Sequence, residues 1–282
     1  MTKLREQYKR DLEIKGFSPK TQDAYLRHVA VFSKHFGKSP DLLGIEEIKD
    51  YLHYVITDRG LSKSYVNQVY SALKFLYEAT LGREWKMTQI PRVKKDKKLP
   101  QVLSRLEIKK ILDSITNLKH RAILTTIYAS GLRVGEVVNL KVIDIDSKCM
   151  QIKVCLGKGK KDRFTILSEK NLIVLRDYFK YYKPKDWLFP GDDESKHLTE
   201  RTVERVFEKA KAKAGVLKPG NVHCLRHSFA THLLEDGTDI HYIQALLGHT
   251  NIQTTNIYLH VTAARIKKIR SPFDILDGGQ DE

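Results

Sequence analysis

The sequence predicts a mainly α protein of two domains, with a single small β-hairpin sheet in the second. Three observations carry this. Apolar positions recur at three-and-four spacing between well-marked helix ends, a basic proline-containing stretch interrupts them near residue 90, and β-type runs cluster within residues 141–167. A chain of 282 residues, 41% hydrophobic and 30% charged, has enough apolar side chains for a core in each domain.

Residues 1–85 read as four helices. The first spans residues 2–15. Ser18-Pro19 supplies an N-cap with proline at the first helical position, and Gly37 ends that helix after Phe36. A third run near 45–58 stops at Gly60. The fourth starts at Ser62, carries Val66, Val69, Tyr70, Leu73, Leu76 and Tyr77 on one face, and ends at Gly82.

Residues 86–100 hold six basic residues, one acidic residue and two prolines, the composition of a linker. Its charge suits either a solvated tether or a segment lying along a DNA backbone. The second domain, 101–282, opens at Ser104-Arg105-Leu106-Glu107, a capping box ahead of a periodic apolar run. Lys153–Leu156 and Phe164–Leu167 flank a Gly-Lys-rich turn and predict a β-hairpin. Further helices are expected at 168–182, 199–214, 223–236 and 239–247.

The balance of 50 basic to 34 acidic residues leaves a net charge of +16, which points to a polyanionic partner. Residues 1–100 carry 20 basic and 12 acidic side chains and the rest 30 and 22, so both domains share the excess. Nucleic acid fits best. An anionic membrane surface would call for a basic amphipathic helix beside an anchor, and none stands out. No run approaches the ~20 apolar residues of a membrane span, and the polar start does not resemble a secretory signal, so a cytoplasmic, nucleoid-associated location is expected. Cys149, Cys155 and Cys224 form neither a C-x-x-C pair nor an even set, which argues against disulfides and a zinc cluster.

Metal-free phosphodiester cleavage needs a nucleophile, cations to hold the phosphate oxygens and a proton donor for the leaving oxygen. Arg133, in Gly131-Leu132-Arg133-Val134-Gly135-Glu136, falls between two helices, where a helix N-terminus adds its positive end to the guanidinium. The hairpin turn Gly157-Lys158-Gly159-Lys160-Lys161-Asp162-Arg163 offers four cations, and its glycines permit close approach to a groove. It lacks the spacing of a phosphate-binding Walker loop. His223-Cys224-Leu225-Arg226-His227 sets His223 and Arg226 three apart on one helical face. His223 and His227 also raise a metal site, against which stand the absent H-E-x-x-H and an arginine on the same face. Leu246-Leu247-Gly248-His249 follows, and Tyr258 lies nine residues after His249. Taken alone, Tyr258 reads as a half-buried helix residue.

The ordered set GLRxGE, GKG, HxxRH, LLGH and the tyrosine resembles the tyrosine recombinase (phage integrase) family, Xer-type and simple mobile-element integrases in particular. The resemblance covers the whole second domain, and the helical first domain resembles the family's SAM-like core-binding domain, which with the catalytic domain clamps DNA. It implies that Arg133 and Arg226 hold the non-bridging phosphate oxygens, Lys158 protonates the leaving 5′ oxygen, His223 assists proton transfer from Tyr258, and His249 hydrogen-bonds the phosphate. Glu136 would support Arg133 from behind. The implied chemistry is transesterification through a 3′-phosphotyrosine, for integration, excision or dimer resolution, with no metal and no cofactor. Implied partners are a double-stranded DNA site and further protomers in a DNA-bound tetramer, alone or with a second recombinase.

Short donors at predicted helix starts are candidate DNA contacts: Ser18, Lys20, Thr21, Ser62, Lys63, Ser64 and Asn67 in the first domain, Thr199, Arg201, Thr202 and Arg205 in the second. Plain helix capping accounts equally for Ser18, Ser62 and Thr199. Lys160, Lys161 and Arg163 in the turn are read as DNA-backbone contacts or as decoys beside Lys158. Beyond Tyr258 a basic helix near 262–270 precedes Phe273, Ile275 and Leu276, which the resemblance makes a plug docking on a neighbouring protomer. Two rivals remain from the residues: a type IB topoisomerase, which shares this chemistry, and a catalytically idle DNA-binding regulator.

Overall fold

The computed structural model describes residues 2–85, 90–94, 100–155, 162–249 and 255. It divides into two compact units, 1–97 and 98–282.

In the first unit α1 (Lys3–Ile14), α2 (Pro19–Phe36), α3 (Ile45–Thr57) and α4 (Lys63–Phe75) form the expected four helices. Ser18 and Ser62 cap α2 and α4 by accepting the N–H of Thr21 and Tyr65. Gly37 ends α2 in the left-handed conformation. The helix α4 runs on into a wider turn, Leu76–Thr80, before the chain reverses. Tyr8, Leu12, Phe32, Ile48, Val69, Leu73 and Leu76 fill the centre. The buried Tyr8 hydroxyl donates to the Ala72 carbonyl at 2.9 Å, so this large ring leaves no polar atom unsatisfied.

This unit reaches into the segment expected to be a linker. Trp85 and Ile90 are buried among the same apolar side chains, and the Trp85 indole donates to the Tyr70 hydroxyl at 2.9 Å. Asn67 is buried as well, its amide donating to the Val93 carbonyl at 2.8 Å. That corrects the expectation of Asn67 as a DNA contact, because the side chain is buried and one of its N–H groups ties Val93 to α4.

The second unit begins with α5 (Arg105–Asp113), capped reciprocally by Ser104 and Glu107. The helix α6 (Leu118–Ser130) is its axis, buried on nearly every side among α8 (Glu169–Tyr182), α9 (Glu200–Lys213) and α10 (His223–Glu235). A short α7 (Val134–Val138) follows α6, and α11 (Ile240–Leu247) follows α10.

A three-stranded antiparallel sheet, β1 (Ile145–Asp146), β2 (Gln151–Val154) and β3 (Arg163–Ile166), holds the predicted hairpin with one further strand. Gln151 pairs with Ile166 and Val154 with Arg163, so Ile152, Val154 and Thr165 turn inward together. The extra strand β1 has two residues, too few for alternation to announce it. No helix among the described residues is long and apolar enough to cross a membrane.

Candidate active site

The site grows from three chain breaks around one carboxylate. The first is the end of α6. Gly131 closes this helix at φ +63°, and a Cβ there would overlap the Phe229 ring, so only glycine fits both the conformation and the space. The chain then turns through Arg133, the residue before α7, and Glu136 reaches back from the first turn of α7 to accept the Arg133 N–H at 2.8 Å. The second break is the return of the hairpin at Arg163. The third is the end of α11, where Gly248 (φ +63°) lets the His249 N–H close on the Gln244 carbonyl at 3.2 Å.

Glu136 is 8% exposed and faces three guanidinium groups. Arg133 Nη1 donates to Oε1 at 2.7 Å, Arg163 donates to both oxygens at 2.9 Å, and Arg226 Nη1 lies 3.4 Å from Oε2. Burial alone would raise this carboxyl, but the hydrogen bonds from Arg163 and the Arg133 amide, with the charges of Arg163 and Arg226, hold it at about 2. One carboxylate against three arginines leaves two positive charges in a shielded place, which suits a phosphate.

The two expected phosphate-holding arginines are set differently. The Arg133 side chain keeps 40% of its exposure, whereas that of Arg226 keeps 5%. Arg226 is held by the Gly131 carbonyl at 2.7 Å, the Leu247 carbonyl at 2.6 Å and His249 Nε2 at 3.0 Å. Thus α10 supplies an arginine that the ends of α6 and α11 position.

His249 passes its other nitrogen to the Thr255 hydroxyl at 2.9 Å. Burial, then the charges of Arg226, Arg133 and Arg163, push this imidazole down to about 4. His223 occupies the first turn of α10, one turn before Arg226, and its pKa is lowered by burial and by Arg226. His227 is pushed down to about 4 by burial, His223 and Arg226. These histidines are neutral at neutral pH and can accept a proton. Among the described residues no group of three or more metal-ligating side chains is gathered.

The structure therefore brings together Arg133, Glu136, His223, Arg226 and His249. Lys158, Lys160, Lys161 and Tyr258 lie outside the described residues, as do the tail residues Phe273, Ile275 and Leu276. The expectation for Arg163 is corrected. Its side chain is 9% exposed and forks onto Glu136, so it is an internal member of the cluster and not a DNA-backbone contact. Thr255 was missed in the sequence, where a lone threonine gives no signal, and Glu136 serves three arginines where one was expected.

The other expected DNA contacts stand at helix starts. Thr199 accepts the Thr202 N–H at 3.2 Å and its hydroxyl meets that of Thr202 at 2.9 Å, and Ser18 and Thr21 repeat this arrangement. Arg201 and Arg205 line the outer face of α9, opposite the buried Val203, Val206, Phe207 and Ala210. Lys20, Lys63 and Ser64 are exposed.

Comparison with known proteins agrees with this geometry. Residues 101–265 match the phage integrase family, and residues 4–87 match the phage integrase N-terminal SAM-like domain. The chain is 44% identical to a putative integrase/recombinase, y4qK, of Sinorhizobium fredii, over 98% of this chain and 90% of that one. It is 34% identical to the tyrosine recombinase XerD of Oceanobacillus iheyensis, over 90% and 91% of the two chains. Among solved structures it resembles the XerA recombinase (TM-score 0.56, 29% identity, 94% of this chain and 95% of that one). A lambda integrase dimer bound to a core site has the same fold (TM-score 0.74, 20% identity, 90% and 93%).

The chain belongs to the phage integrase family. It is a tyrosine-type site-specific DNA recombinase/integrase. Neither the topoisomerase nor the idle-regulator reading is favoured.

Proposed function

We propose that the pocket formed by Arg133, Arg226 and His249 holds the scissile phosphate of a DNA strand, with Tyr258 as its nucleophile. The single observation that carries this reading is the imbalance at Glu136, three guanidinium groups around one buried carboxylate. Such a cluster is preorganised before any substrate arrives, so little reorganisation opposes charge building up on the phosphate.

Tyr258 loses its proton towards His223, whose lowered pKa keeps it an acceptor at neutral pH. The phenolate oxygen bonds to phosphorus, and the bond to the 5′ oxygen breaks as Lys158 protonates it. Arg133 and Arg226 hold the non-bridging oxygens, and the bound phosphate, by offsetting the arginine charges, lets His249 take up a proton on Nε2 and hydrogen-bond one of them. A 5′-hydroxyl of a second strand then attacks the phosphotyrosine and returns the proton along the same path. One phosphoester replaces another at each step, so the bond energy is conserved.

The partner is a double-stranded DNA site. Contacts come from Ser18, Lys20, Thr21, Ser62, Lys63 and Ser64 in the first unit, from Thr199, Arg201, Thr202 and Arg205 in the second, and from Lys160 in the turn. Protomers assemble as a tetramer on DNA, alone or with a second recombinase, Phe273, Ile275 and Leu276 docking on a neighbour. The enzyme works in the cytoplasm, on the nucleoid.

The test uses a nicked duplex selected from a random-sequence pool by retention on the protein. The nick lets the cleaved fragment diffuse away, so the covalent complex is trapped. Wild-type protein should become covalently attached, and Tyr258→Phe should bind the same duplex without attachment. A persistent adduct in Tyr258→Phe would remove Tyr258 from the role.

A further inference from the structure

We infer that Arg163 is a positioning residue of the strand-cleavage reaction, setting the geometry of both phosphate-holding arginines and of His249 from inside the protein. The inference rests on the reading of this pocket as the phosphate site and concerns how that pocket is held.

A carboxylate offers about four lone-pair directions, two on each oxygen. Arg163 takes one on each, Nη1 on Oε1 and Nη2 on Oε2, both at 2.9 Å. This two-pronged grip fixes the plane of the Glu136 carboxylate. The remaining direction on Oε1 receives Arg133 Nη1 at 2.7 Å, and that on Oε2 receives the Arg133 amide at 2.8 Å, with Arg226 Nη1 a longer 3.4 Å away. Where Arg133 and Arg226 point therefore depends on how Arg163 has turned the carboxylate.

The same side chain also holds the far wall. Its Nε donates to the Leu246 carbonyl at 2.8 Å. Its Cδ packs so closely on Gly248 that a Cβ there would lie 2.7 Å away. The next carbonyl, that of Leu247, is the one that grips Arg226, and the residue after Gly248 is His249. Arg163 is also the first residue of β3, paired with Val154 of β2. One buried side chain thus joins the hairpin, the α7 carboxylate and the end of α11. A lysine cannot do this, since it is a point charge without a planar fork.

The experiment measures the first-order rate of covalent attachment within preformed complexes on the selected nicked duplex, together with DNA affinity. Counting only bound protein removes any unfolded fraction. Arg163→Gln should slow attachment about 10- to 100-fold, the cost of a small misplacement of catalytic groups, with affinity nearly unchanged. Arg163→Lys, which keeps the buried charge, should also stay slow, and it carries the test if Arg163→Gln does not fold. Glu136→Gln combined with either should be no slower than the slower single variant, because both act through one carboxylate. A wild-type rate in Arg163→Lys, or losses that multiply in the double variant, would overturn the inference. If wild-type protein forms no adduct at all, the reading of the pocket fails instead.

Discussion

Arg226 Nη2 lies 3.0 Å from His249 Nε2, and because a guanidinium can only donate, that nitrogen of His249 must be unprotonated. The proton of the neutral ring then sits on Nδ1, facing the Thr255 hydroxyl at 2.9 Å. In DNA-free protein, nitrogen NMR should show the Nδ1–H tautomer at pH 7 and no protonation until the pH nears 4. A bound phosphate offsets the arginine charges and should raise this pKa. An Nε2–H tautomer in the free protein would contradict the arrangement.

Thr255 is fully buried and receives the His249 proton, so Thr255→Val should free the ring to turn. Losing one such hydrogen bond costs about 1 kcal/mol, roughly a fivefold slower covalent attachment, with DNA affinity unchanged. Single-turnover assays on the nicked duplex would read this, and an unaltered rate would deny Thr255 any part in aiming His249.

Acid should weaken the fold in two stages. His227 and His249 have native pKa values lowered to about 4, so their contribution is complete above their unfolded value of 6.5 and fades as the pH drops towards 4. Glu136, held at about 2 against an ordinary 4.5, contributes fully above 4.5 and loses its share as the pH falls through 2, on the order of 3 kcal/mol in all. Urea midpoints followed from pH 7.5 to pH 3 should decline across both windows. A flat midpoint between pH 6.5 and 4 would show that the histidines are not held neutral.

Gly131→Ala combines a left-handed backbone with a methyl group placed in the Phe229 ring. The conformational cost of about 1 kcal/mol and an overpacking cost of about 1–3 kcal/mol act together. Denaturant unfolding should show a loss of about 2–4 kcal/mol, and because the Gly131 carbonyl holds Arg226, cleavage should slow as well. A variant as stable as wild type would mean that Phe229 yields freely.

Arg201 stands on the exposed face of α9. If it meets a phosphate, Arg201→Ala should weaken binding evenly across DNA sequences and reduce the salt slope of the affinity by about 0.9. Loss confined to one sequence would mean that Arg201 reads a base. No change at any salt concentration would place α9 away from DNA.

The four α-helices of the first unit were legible, α2 and α4 most clearly because their ends are written locally: Ser18 before Pro19, Gly37, and Ser62 ahead of a periodic apolar run. The same holds for Ser104 with Glu107 and for the hairpin around its basic turn. The two-residue β1 was not legible, since its pairing with β2 is its only signature. Ile90 and Val93 read as linker because their neighbours are basic, yet the pocket beside Trp85 and the amide of Asn67 hold them. The ordered motifs and the family resemblance they carry singled out Arg133, Glu136, His223, Arg226 and His249, but nothing along the chain separates Arg163 from Lys160 and Lys161.

By itself the sequence determined which segments become helices and which chemical groups are available, because caps, glycines and apolar periodicity act over a few residues. Only the tertiary structure decided which cation faces inward. Arg163 and Lys160 lie three residues apart in the sequence and carry the same charge, but burying a guanidinium requires a carboxylate within reach. Glu136 is brought to it from 27 residues away by the packing of α6, α7 and the sheet. The site's charge pattern is therefore a property of that packing.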